Sequence, residues 1–212
     1  MKNSFFAGLL SLTIMISCQP DKQLTNYVNP LLGTATLWET KDLGYERHLK
    51  TRTWGAEVFP GSSVPNAMVQ LSPVTQFRSG AGYQYEDTVI YGFSHTNKGH
   101  WNLLHLPVLP VTGNVSSGDY ASTYSHSNES ARPGYYQVFL ERYGVNAELT
   151  STLRCAYHKY TFRPDDDKKV LVDITRTNNG VRDWSIQKVD DYTFSGNQDA
   201  EGNIRFYAVS NY

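Results

Sequence analysis

The period of its apolar residues constrains this chain more than any other feature. In YYQVFLERYG (135–144), Tyr136, Val138 and Leu140 alternate with Gln137, Phe139 and Glu141. That two-residue period belongs to a strand with one face in a core and the other toward water. AELTSTLRCAYHKYTF (147–162) carries it on, with Leu149, Ser151, Leu153, Cys155 and Tyr157 on one side. The segment therefore predicts a long strand, with Cys155 as a small buried apolar residue. KKVLVDIT and NIRFYAVSN predict two more short strands, and TFSGNQDAEGN between them reads as turn. RPGY, RPDDDKK and RTNNGV punctuate these runs at the spacing of an all-β sandwich or barrel. No amphipathic helix follows the first residues, and nothing repeats. The expected fold is all-β, an antiparallel β-sandwich. Tyr27 to Gly82 has Gly and Pro but little periodicity, which predicts long ordered loops of the kind that carry binding groups on a sheet.

With 212 residues and a formal net charge of −1, the chain can build one sizeable core but lacks the excess of Lys and Arg that nucleic acid demands. Its 15 tyrosines suit strands and also surfaces that offer a flat apolar face with a polar tip, as sugars and peptides require.

Residues 1–17 read as a targeting segment. A short positive start precedes the apolar run Phe5 to Ile16, too short to span a bilayer as a mature helix. The run closes on Met15-Ile16-Ser17-Cys18, which looks like a bacterial lipobox. Cys18 is then the lipid anchor, residues 18–26 a polar tether, and 27–212 the sandwich domain, on the periplasmic or outer face of an outer membrane. Cys155 is left without a partner for a disulfide within the mature chain.

YGFSHTNKGHWNLLHLPVLPVTG (91–113) holds three of the six histidines. His95, His100 and His105 are spaced by five, which suits neither a helix face nor a strand face, so no local metal site is expected. NLLHLPVLPV reads as a buried strand with His105 hydrogen-bonded inside it and Pro107 and Pro110 marking an edge strand or the strand's end. HTNKGHW reads as a loop open to a ligand. For glycoside hydrolysis two carboxyl groups are needed, and Glu86-Asp87, Asp165 to Asp167 and Asp190-Asp191 are the candidates. Each sits in a turn-like cluster where acidic residues are ordinarily solvated. No G-x-S-x-G elbow, P-loop or GxGxxG is present.

Six segments, in order, resemble the N-terminal domain of glycoside hydrolase family 92: YVNPLLGT (27–34), VFPGSSVPNAMVQLSP (58–73), GYQYEDTVIYGFSHT (82–96), PVTG (110–113), RPGYYQVFLERYGVNAELTST (132–152) and YHKYTF (157–162). The resemblance implies a calcium-dependent, inverting exo-α-mannosidase acting on mannose-containing glycans. In that family the sandwich precedes an (α/α)6 toroid that supplies the general acid, the general base and most of the calcium site. It implies that the catalytic carboxylates lie in a missing C-terminal domain, that the sandwich runs on past Tyr212, and that this chain alone is inactive. Phe59, Pro60, Gly61, Phe77, Arg78, His95, Lys98, His100 and Trp101 would shape the sugar pocket. Two stretches depart from the family pattern. TQFRSGAGY places Phe77 and Arg78 where many members have a tryptophan, which puts α-1,2 specificity in question. NKGHWNLLHLP replaces a small-residue loop after His95, and Lys98 with Arg78 would favour an anionic neighbour such as phosphate. The alternative function is a non-catalytic carbohydrate-binding lipoprotein, and a self-sufficient hydrolase using His95 and His100 is a third.

Overall fold

The computed structural model describes residues 23–36, 55–97 and 103–210. Among them there is no α-helix, only short 3-10 turns such as Leu24–Tyr27 and His126–Asn128. The strands are β1 (Ser72–Val74), β2 (Val89–Ile90), β3 (Gly92–Ser94), β4 (Val108–Thr112), β5 (Ser122–Thr123), β6 (Glu129–Arg132), β7 (Tyr135–Leu140), β8 (Val145–Ser151), β9 (Ala156–Thr161), β10 (Lys168–Val172), β11 (Asp183–Lys188), β12 (Thr193–Ala200) and β13 (Gly202–Val209).

Two four-stranded antiparallel sheets, in the orders β1-β3-β4-β10 and β6-β7-β8-β9, make the body of the sandwich. Phe93, Leu109 and Val111 from the first meet Tyr136, Val138, Leu140, Val145, Ala147 and Leu149 from the second in one buried cluster. Burying each large side chain of this kind contributes about 1.5–3 kcal/mol. The alternation expected for β7 holds residue by residue, with 136, 138 and 140 buried and the intervening positions partly exposed. The short pair β2-β5 borders this core, and β11-β12-β13 form a third, peripheral sheet whose first strand is exposed throughout. Pro110 interrupts nothing. β3 pairs with β4 only at Phe93 and Val108, so the side of β4 where a proline N–H would be missed carries no ladder there.

Three expectations are corrected. The long strand over 147–162 is a hairpin, β8 and β9, turning at residues 152–155. Thr152 makes that turn: its N–H donates to the Cys155 carbonyl (2.8 Å), and its Oγ1 accepts from the Arg154 and Cys155 amides (3.4 and 3.1 Å). A hydroxyl does here what Gly or Pro usually does, and Cys155 is consequently exposed. TFSGNQDA is the eight-residue strand β12. Gly196 belongs in it because a Cβ there would lie 2.1 Å from the Ser185 carbonyl oxygen and 2.7 Å from the Phe206 ring, which crosses over it. His105 lies ahead of β4 in an irregular loop, buried as expected but outside the strand.

Candidate functional site

β3 delivers His95 to the gap between the two sheets, where it meets His158 of β9. Their Nε2 atoms are 3.0 Å apart, His95 Nδ1 lies 2.8 Å from the Leu106 carbonyl oxygen, and His158 Nδ1 lies 2.8 Å from the Tyr160 hydroxyl. A carbonyl only accepts, so His95 carries its proton on Nδ1 and its bare Nε2 accepts from His158 Nε2–H. His158 Nδ1 then accepts from the tyrosine. With both rings neutral, this is the one arrangement of protons that satisfies the chain. Burial pushes His95 down to about 4 against the opposing pull of its bonds to the Leu106 and His105 backbone. Burial, and then the neighbouring His95, hold His158 well below the ordinary histidine range.

His95 also anchors the loop 103–107. Its amide donates to the His105 carbonyl (3.0 Å), while Leu104 N–H donates to the Thr96 carbonyl (3.2 Å) and His105 N–H to Thr96 Oγ1 (3.1 Å). Leu106 N–H donates to Oε1 of Gln198 in β12 (2.9 Å), and Gln198 Nε2 donates to the Ile174 carbonyl (2.8 Å). Leu103 accepts from the Asn178 amide at 3.1 Å. Within this loop Leu104 and Leu106 have φ of 56° and 50°. Bulky residues in that left-handed region cost roughly 1–3 kcal/mol each and persist only where the surroundings over-determine them.

Phe77 and Arg78 lie in the turn after β1. Phe77 packs edge-on against Tyr91 at 5.7 Å, and the Arg176 guanidinium lies over both rings, at 4.5 Å and 5.4 Å. Arg176 Nη1 donates to the Tyr120 hydroxyl (3.2 Å), which in turn donates to Asp173. Burial first, then that carboxylate, pushes Tyr120 up to about 12. Arg78 is exposed with φ of 58°, a third residue in the left-handed region. The turn is fastened by Asn178, whose Oδ1 accepts from Ser79 N–H (3.2 Å) and whose Nδ2 donates to the Ser79 carbonyl (3.0 Å).

Phe59 is half-buried, Pro60 is buried, and Gly61 backs onto Leu71: a Cβ on Gly61 would lie 1.9 Å from the Leu71 carbonyl oxygen. The amides of Gln70 and Leu71, successive along one segment, donate to His95 and Ser62 respectively. The segment 59–62 and His95 thus lie on opposite sides of 70–71. Lys98, His100, Trp101 and Cys18 lie outside the described residues. Sequence reasoning missed Asn178, Gln198, His158 and Arg176. The only sign of them is two isolated amides, a histidine and an arginine in otherwise unremarkable turns and strands.

Glu129 and most of the candidate carboxylates serve structure. Glu129 has a wholly buried side chain that accepts from the Tyr83 hydroxyl (2.9 and 3.1 Å) and the Tyr136 hydroxyl (2.6 Å), with His126 Nδ1 at 2.6 Å. Burial, followed by the Glu129 charge, holds both tyrosines far above their usual range. Glu86 receives Thr36, Asp87 receives Thr75 Oγ1, Asp166 receives the Arg163 amide, Asp190 receives the Tyr192 amide, and Asp191 pairs with Lys188. A general acid needs its pKa raised. The carboxyls that shift are all lowered: Glu148 by Lys159 and Tyr135, Asp190 by backbone amides, and Asp199 by Arg182. Among the described residues no group of three or more His, Cys, Asp or Glu side chains lies close enough to hold a metal. Calcium takes six to eight oxygens, so the described residues do not fit it.

No curated protein sequence matches the chain. The fold is similar to that of a family GH92 alpha-mannosidase from Bacteroides thetaiotaomicron, with TM-score 0.72 and 30% identity over 88% of this chain and 25% of that one. The complex of that enzyme with mannoimidazole gives TM-score 0.72 and 29% identity, again over 88% and 25%. A family GH92 inverting mannosidase from Bacteroides thetaiotaomicron VPI-5482 gives TM-score 0.65 and 26% identity over 82% and 22%. The chain therefore spans about a quarter of the length of the mannosidase chains it matches. The model of the glycosyl hydrolase family 92 N-terminal domain matches residues 27–212. With a β-sandwich of the same form and a match from Tyr27 onward, the chain belongs to the N-terminal domain family of the family 92 glycosyl hydrolases.

Proposed function

We propose that this chain is the N-terminal part of an exo-α-mannosidase and forms one wall of its sugar pocket, with Phe77 and Arg78 at the rim and Phe59, Pro60 and Gly61 bordering it. His95, with both ring nitrogens engaged, acts by holding the loop 103–107 in place. The observation that carries the reading is the family match over 27–212 together with 30% identity to a mannosidase of which this chain covers a quarter. The described carboxylates support it, because Glu86, Asp87, Glu129, Asp166, Asp190 and Asp191 are bound into the fold and the shifted ones are all kept ionised. The acid and base of an inverting hydrolysis would come from elsewhere in the protein, and any calcium would be held there too. The lipid anchor at Cys18 belongs to the same reading and would keep the enzyme at the membrane, facing the periplasm or the outside.

The test is the gene beyond the codon for Tyr212, joined to an assay. The frame should run on into helix-rich sequence bearing acidic residues, and the intact product should release mannose as the inverted anomer, seen by proton NMR. The 212-residue chain alone should release none. Mannose release by the chain alone, or an intact product inert toward α-mannosides, overturns the reading.

A further inference from the structure

We propose that Asn178 and Gln198 are positioning residues that bind the Phe77–Arg78 turn and the loop 103–107 into one unit. The proposal rests on the mannoside reading only in what the unit is for.

Asn178 is 2% exposed and Gln198 is 0% exposed. Each amide side chain does the work of a missing neighbouring strand. Asn178 closes a ring with both backbone groups of Ser79 through its side chain, and with its own amide holds the Leu103 carbonyl. Gln198 reaches from β12 to the Leu106 amide on one side and to the carbonyls of Ile174 and Arg176 on the other. The short stretch 174–178 is thus fastened to the loop 103–107 at both of its ends and to the turn at Ser79. Its Arg176 side chain lies on Phe77.

The turn and the loop share a second property. Arg78, Leu104 and Leu106 all have positive φ, at 58°, 56° and 50°. Two strained turns are each held at the same residue, Asn178, the first by its side-chain amide and the second by its backbone N–H. Strain of this kind relaxes when the groups that over-determine it are removed. Loss of the Asn178 side chain should therefore release both turns, although its backbone bond to Leu103 remains.

The experiment is amide hydrogen exchange on the full-length protein, with mannoimidazole binding measured alongside. In Asn178→Ala, peptides covering 76–82 and 103–107 should exchange roughly tenfold faster, in step, while β8 (145–151) keeps its protection. Asn178→Asp retains the acceptor for Ser79 N–H but not the donor, so it should fall between the wild type and the alanine variant. Affinity for mannoimidazole should drop by about the same factor. Faster exchange confined to 76–82, or an equal rise in β8, overturns the coupling. If both loops loosen while mannoimidazole binding is unchanged, the coupling stands and the mannoside role of the rim fails. If binding weakens while the Leu104 and Leu106 amides stay protected, the coupling fails and the mannoside role stands.

Discussion

Mild acid should loosen this fold through the His95–His158 pair. The perturbation is a shift from pH 7.5 to pH 5. In the unfolded chain a histidine protonates near 6.5, whereas burial keeps His95 neutral down to about 4 and holds His158 lower than usual as well. Between those limits the unfolded state binds more protons than the folded one, so stability is full above about 6.5 and drains away as pH falls toward the folded value. For His95 the loss between pH 7.5 and pH 5 comes to about 2 kcal/mol, with a slope approaching about 1.4 kcal/mol per pH unit for each proton. His158 adds in the same direction, and so does His105, which burial also lowers. Charging His95 would also bring two N–H groups face to face across the 3.0 Å gap, and charging His158 would put an N–H where its Nδ1 accepts from Tyr160. The carboxyls with lowered values, Glu148, Asp190 and Asp199, start from 4.5 or below and enter only under this window. The assay is urea unfolding followed by tyrosine and tryptophan fluorescence at half-unit steps of pH. His95→Asn/His158→Gln should start less stable at pH 7.5 but show a visibly flatter slope. Parallel slopes in wild type and variant would refute the reasoning.

Two further predictions follow from packing and from buried charge. Gly61→Ala should cost roughly 2–4 kcal/mol in chemical denaturation, because the new Cβ meets backbone atoms of Leu71 and Ser72 within 2.8 Å; a change under half a kcal/mol would show that the segment gives way. Glu129→Ala should cost roughly 3–5 kcal/mol, since it strands two buried tyrosine hydroxyls. A Tm within a degree or two of wild type would contradict that.

The sandwich was legible wherever the chain obeys one local rule. β7 shows its faces because every second residue is apolar. The run 27–82, expected as loop, contains the strand β1 at 72–74 among its described residues, which no period in the sequence announces. The failures have local causes too. A threonine hydroxyl turned the chain at 152–155 where no Gly or Pro announced it, so one strand was expected in place of two and Cys155 was assigned to the inside. β12 hid because its glycine, asparagine and glutamine are ordinary turn residues, and what makes them a strand is pairing with β11 on one side and β13 on the other. The site was legible in one half. The Phe77–Arg78 turn and His95 stand out in sequence, but their partners lie far along the chain: His158 is 63 residues from His95, Asn178 is 99 from Ser79, and Gln198 is 92 from Leu106. No window on the sequence brings such pairs together.

Those separations also set an order of events. The core between the two main sheets draws on β3, β4, β7 and β8, all of which lie within residues 92–151. The N–H of the left-handed Leu106 donates to the side chain of Gln198, 92 residues further along the chain. Contacts across such long intervals are slow to form because the chain must close a large loop before they return anything. The loop 103–107 is therefore among the last features of the domain to take its shape, set by the final strands upon a sandwich already standing.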